Sequence, residues 1–163
     1  RLRLVQSNND IFVVPEGYAT TLVEPLKVNI TRPGEYVHAE NLSPSDISSG
    51  QPVRSFILHF KPEHDGDRRR FKRTTGSITF DRPVLGLIVL HRELAASAER
   101  FPGRRAGELL EHRQLELTGN RRSDVITLSD DRRTVGLDLA PGRFSDLVRV
   151  IVDASVEQSS PNG

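Results

Sequence analysis

The chain has no cysteine, no methionine and no tryptophan, and only two tyrosines among 163 residues. Without cysteine there is no disulfide, no thiolate-ligated zinc or iron–sulfur site and no thiol nucleophile. Without methionine, even at position 1, a signal peptide or a trimmed leader is expected ahead of Arg1. Lysine is scarce too: of 23 basic residues only Lys27, Lys61 and Lys72 are lysines. The arginine bias reads first as a GC-rich genome and second as an affinity for polyanions. No stretch approaches the roughly 20 apolar residues of a membrane span. The longest apolar run, Val84 to Leu90, has the length of a strand. The G-x-S-x-G elbow, the H-E-x-x-H helix, the P-loop and the G-x-G-x-x-G turn are all absent, so no familiar catalytic motif points to an enzyme.

What is present is a period of two. Leu26, Val28 and Ile30 alternate with Lys27, Asn29 and Thr31; Phe56, Leu58 and Phe60 form another apolar face. Ile78 with Phe80, Ile126 with Leu128, then Val135, Leu137 and Leu139, and finally Val148, Val150 and Val152 continue the pattern of half-buried strands. Ile11–Val14 and Thr20–Val23 predict two further strands. Val84–Leu90, apolar on both sides, predicts a central strand covered on both faces. Arg32-Pro33-Gly34, Ala140-Pro141-Gly142 and Ser129-Asp130-Asp131-Arg132-Arg133 are turns, the last joining a hairpin. Leu94, Ala98 and Phe101, spaced i, i+4, i+7 and stopped by Pro102-Gly103, predict the one helix. Glu35 to Gln51 reads as a long polar loop over the sheet. The expected fold is all-β: an antiparallel two-layer β-sandwich or jelly roll with one short helix. Residues 1–156 form a single domain and 157–163 a polar tail. At this length about 68–70% of the unfolded surface can be buried, so no metal is needed for folding. Phe56, Leu58, Phe60, Ile78, Phe80, Leu85, Leu87, Leu128, Leu137 and Val150 are the expected core.

The segments Ser55-Phe56-Ile57-Leu58-His59-Phe60, Gly76-Ser77-Ile78-Thr79-Phe80-Asp81-Arg82-Pro83-Val84-Leu85-Gly86-Leu87-Ile88-Val89, Ile126-Thr127-Leu128-Ser129, Asp131-Arg132-Arg133-Thr134 and Asp146-Leu147-Val148-Arg149-Val150-Ile151 carry a resemblance. Over about 100 residues, Val53 to Val152, the chain resembles uncharacterised exported bacterial proteins of planctomycete type, some of which carry a PEP-CTERM-like sorting tail. The resemblance implies export and a β-rich fold, and carries over no catalytic residues. Lys61 stands where similar proteins often have an acidic residue, and no sorting tail follows Val156.

Four constellations offer groups for chemistry. Arg68, Arg69, Arg70, Lys72 and Arg73 surround Phe71, a set that suits phosphates or sulfated glycans by charge and stacking. Its plain alternative is a solvated hairpin arm, partly neutralised by Asp65 and Asp67. Glu63, Asp65 and Asp67 offer oxygen ligands for calcium, but lack the EF-hand pattern, and no cofactor is expected. His59 and His91 would begin a metal site only if their strands were neighbours. Glu108, Glu111 and Glu116 are the carboxylates available for glycoside hydrolysis. Asn29-Ile30-Thr31 and Asn41-Leu42-Ser43 match the glycosylation sequon, in a bacterial chain by chance.

The sequence therefore leads to a non-catalytic, secreted or cell-surface domain with carbohydrate or a surface component as its partner. Against a strong lectin stands the scarcity of aromatics, Tyr18 and Tyr36 being the only tyrosines. Polyanion binding through the arginine run is the second reading, with nucleic acid not expected as the polyanion. A hydrolase without a recognisable motif is the third.

Overall fold

The computed structural model describes residues 3–6, 11–60, 73–101, 114–140 and 147–156. Eleven strands are described: β1 (Arg3–Gln6), β2 (Ile11–Thr21), β3 (Leu26–Val28), β4 (Gly34–Tyr36), β5 (Ser45–Ile47), β6 (Pro52–Phe60), β7 (Thr74–Thr79), β8 (Val84–Ile88), β9 (Val125–Leu128), β10 (Thr134–Leu139) and β11 (Leu147–Asp153). They build a five-stranded sheet ordered β1-β7-β10-β9-β4, a four-stranded sheet ordered β2-β6-β11-β8, and a ribbon of β3 with β5. All the strand pairs are antiparallel. The fold is thus an all-β sandwich, with a single short α-helix among the described residues, α1 (His91–Ser97).

The five-stranded sheet follows the period of two closely. In β10 Val135, Leu137 and Leu139 are buried while Thr134, Gly136 and Asp138 are half-exposed. Across the sandwich these side chains meet Phe56, Leu58, Val148, Val150 and Val152. Phe56 and Phe80 pack with ring centroids 5.2 Å apart, tilted by 48°.

The four-stranded sheet departs from it. β11 is buried at six consecutive positions, Leu147 to Val152, because its second face is covered as well. There Leu147 and Ile151 join Val53, Ile57 and Ile88 beneath Leu26, Val28 and Ile47 of the ribbon and Leu94 and Phe101 around the helix. β8 is covered on both faces as expected, with Val84 and Leu87 in the first apolar cluster and Ile88 in the second, but the expectation that it is central is corrected: in the order β2-β6-β11-β8 it stands at the end of its sheet. β8 pairs with a strand on one side only. Its free side is closed by Asn29 and Ile30, whose N–H groups donate to Leu87 O (2.9 and 3.1 Å), while Leu87 N–H donates to Ile30 O (2.9 Å). Those three bonds explain how an apolar strand can stand at a sheet edge without a row of orphaned backbone groups.

Other expectations shift by smaller amounts. Ile11–Val14 and Thr20–Val23 are not two strands: Ile11–Val14, Thr20 and Thr21 belong to the continuous β2, and Leu22 and Val23 lie beyond its end. The stretch 35–51 is not a plain loop: it supplies part of β4, a single helical turn at Ala39–Asn41, and β5. The helix begins three residues earlier than its apolar spacing suggests and ends in a tighter turn at Ala98–Arg100. Of the expected core, Leu85 is only half-buried, against the second apolar cluster, and the side chain of Phe60 lies outside the described residues. The other eight are buried. Gly86 is required where the ribbon presses on the sheet, since a Cβ there would stand 2.6 Å from Val28 Cγ2.

Candidate functional site

Three segments meet at one end of the sandwich. The first is a bulge in β2. Glu16 is opposite Ser55 and Thr20 is opposite Val53, so Gly17, Tyr18 and Ala19 together face the single residue Arg54. Gly17 makes this possible with a φ of 68°, a left-handed conformation natural to glycine. The second is the crossover from β7 to β8, Phe80-Asp81-Arg82-Pro83. The third is the end of β11, Asp153-Ala154-Ser155.

Between them lies an open cleft of about 300 Å³, at the small end of the range for ligand pockets, roughly 300–1,000 Å³. Phe56, Phe80 and Val152 line its apolar floor; Arg54, Asp81, Arg82, Asp153 and Ser155 supply its polar groups. The crossover is held from behind by the β9–β10 hairpin. Phe80 N–H donates to Arg133 O (2.8 Å) and Val84 N–H to Arg132 O (2.6 Å). Arg133 Nη1 donates to Asp81 O (2.6 Å) and Arg132 Nε to Val84 O (3.2 Å). Asp131 shapes that hairpin: its Oδ1 accepts from Ser129 Oγ and from Arg133 N–H (3.0 Å). These two bonds hold its carboxyl below the usual carboxylate range.

The polar walls are mostly engaged with each other. Gln51 Nε2 donates to Asp153 Oδ1 (3.0 Å), and Ser155 N–H donates to the same oxygen (2.8 Å). Burial pushes the Asp153 carboxyl up. The hydrogen bonds from Ser155, with Arg82 and Gln51, outweigh that and hold it below its ordinary value. Arg82 lies 3.9 Å from Asp153 and donates to Ser155 O. Arg54 differs. Its guanidinium lies over the Phe56 ring, 5.1 Å from the centroid, and makes no hydrogen bond or ion pair with any described residue. Tyr18, immediately before the lining residue Ala19, is 93% exposed.

No protein-family model matches the chain, nor does any curated protein or solved structure.

Asp65, Asp67, Arg68, Arg69, Arg70 and Lys72, with Glu63, Glu108 and Glu111, are outside the described residues. Arg73 is described, and it is tied inward: Nε donates to Asp138 Oδ1 (2.6 Å) and Nη2 to Ser123 O (2.7 Å) and Asp138 O (3.0 Å). His59 and His91 do not come together through neighbouring strands, because β11 separates β6 from β8. Among the described residues no three His, Asp or Glu side chains gather as a metal site requires. No helix there is long and apolar enough to cross a membrane. Asn29 is buried, its Oδ1 accepting from Val89 N–H (2.8 Å) and Leu90 N–H (3.0 Å) just ahead of α1, which gives this sequon residue a structural task.

Sequence reasoning missed the cleft because its parts are spread from residue 19 to residue 155. It also missed a buried ion pair. Arg149, in the middle of β11, is fully buried. Its Nε donates to Glu16 Oε1 (2.7 Å) and Nη2 to Glu16 Oε2 (3.1 Å), a bidentate pair. Nη1 donates to Leu94 O (3.1 Å) and to Ser97 Oγ under the helix, and Phe101 flanks the guanidinium at 5.8 Å. Ser55 Oγ donates to Glu16 Oε1 (2.6 Å). A lone arginine in the run Leu-Val-Arg-Val-Ile-Val was the sequence signal for it.

Proposed function

We propose that the chain is a non-catalytic, exported binding domain that seats one unit of a surface saccharide in the cleft at the end of the sandwich. The observation that carries this reading is the cleft itself: an apolar floor from Phe56 and Phe80 beneath a rim of arginine, aspartate and serine side chains. Saccharide rings need that combination, with C–H faces against apolar surface and hydroxyls against polar acceptors and donors. Binding rather than catalysis is favoured by the engagement of Asp153 and Arg82 with neighbouring groups, which leaves them as fixed walls. Export is the implication of the resemblance to exported bacterial proteins.

The test is a panel of neutral and acidic mono- and oligosaccharides titrated into the chain and into an Ala19→Trp variant, followed by calorimetry. Ala19 is exposed at the mouth, so the bulky residue blocks the cleft without entering the core. The reading expects at least one saccharide to bind the parent chain and to lose binding in the variant. Saccharide binding that Ala19→Trp leaves intact, or no binding at all, overturns it.

A further inference from the structure

We infer that the cleft selects a carboxylate-bearing sugar, a uronic acid unit, through Arg54. This rests on the proposal that the cleft holds a saccharide, and adds which one. The charged groups around the cleft are not equivalent. Arg82 and Asp153 face each other and are further tied to Ser155 and Gln51. Asp81 has a partner as well. Arg54 alone among the lining cations makes no hydrogen bond or ion pair with a described residue, although it is half-buried at the cleft wall. Its guanidinium lies over the Phe56 ring, and its N–H groups make no hydrogen bond with any described residue.

A planar fork of N–H donors matches a carboxylate in bidentate fashion, better than it matches a hydroxyl. A half-desolvated cation without a counter-ion is also the group whose environment improves most when an anion arrives. The position is fixed by the fold. Arg54 is paired in register with Val152 on one side and faces the three-residue bulge on the other, where the ladder with β2 is interrupted. The cleft volume suits one ring.

The experiment titrates the chain with D-galacturonate, D-glucuronate, D-galactose, D-glucose and acetate, and repeats each titration on Arg54→Gln and Arg54→Lys. The expected result is that a uronate binds, that its affinity falls by about tenfold to a hundredfold in Arg54→Gln, as loss of a charge-assisted hydrogen bond implies, and that Arg54→Lys recovers part of the loss by charge alone. Binding of the uronate should weaken with added salt. An unchanged melting temperature in Arg54→Gln shows that the variant is folded. Galactose or glucose binding as tightly as the uronates, with Arg54→Gln neutral, overturns the inference while leaving the cleft as a saccharide site. Acetate binding as tightly as a uronate overturns the sugar assignment. Failure of every saccharide to bind overturns both proposals.

Discussion

Truncating the buried arginine should be among the most damaging single changes in this chain. In Arg149→Ala, the Glu16 carboxylate, 8% exposed, loses both of its charged donors and keeps only the Ser55 hydroxyl. Leu94 O and Ser97 Oγ lose a donor, though Ser97 Oγ still donates to Leu94 O (3.1 Å). The dominant cost is therefore a buried carboxylate without a counter-ion, about 3–5 kcal/mol when one partner of a buried pair is removed. Against a total stability of roughly 5–15 kcal/mol, that is at least about a fifth and, at the low end of stability, all of it. Urea unfolding followed by circular dichroism measures it: with a slope of about 2 kcal/mol/M the midpoint should drop by about 2 M. The companion variant replaces the whole cluster, Glu16→Leu with Ser55→Ala and Arg149→Met. It leaves no orphaned charge and should lie within about 1 kcal/mol of the parent or above it. A loss below about 1 kcal/mol in Arg149→Ala, or a triple variant no more stable than Arg149→Ala, would refute this account of the pair.

Further outcomes are expected. Phe80→Ala removes a buried ring in contact with Phe56 and should cost about 3–5 kcal/mol in the same unfolding assay; a cost below about 1 kcal/mol would remove Phe80 from the core. Gly119→Ala should destabilise, because Gly119 holds a φ of 75° and a Cβ would stand 1.8 Å from His38 Cε1; an unchanged melting temperature contradicts the packing of that ring. The folded state holds Asp153 below its ordinary pKa of 3.8, so its contribution is present above the unfolded value and is lost as pH falls below about 4. Asp153→Asn should accordingly flatten the acid limb of a stability–pH profile; an unaltered limb would show that the carboxylate adds nothing. A chelator should leave the melting temperature unchanged, and a large drop would make Asp65 and Asp67 calcium ligands.

The sequence by itself determined the fold class. A period of two in Val135-Leu137-Leu139 or Phe56-Leu58 admits one arrangement, an apolar face turned to a partner sheet, and the turn residues of Ser129–Arg133 fix where a chain reverses. Local chemistry decides both, so both were legible. Tertiary structure alone decided which strand is central. Val84–Leu90 and Leu147–Val152 are both apolar runs covered on two faces, and an apolar run does not tell whether a strand has hydrogen-bonded neighbours on both sides. Only the approach of Val28–Ile30 showed that the first stands at an edge and the second between β6 and β8. The same holds for the sites. Arg149 finds Glu16 from 133 residues away, and Arg54, Asp81 and Asp153 share one cleft only because a bulge, a crossover and a strand end converge on it. Side-chain periodicity reports a residue's own strand, whereas a site is made by register and by the crossing of chain segments distant in sequence.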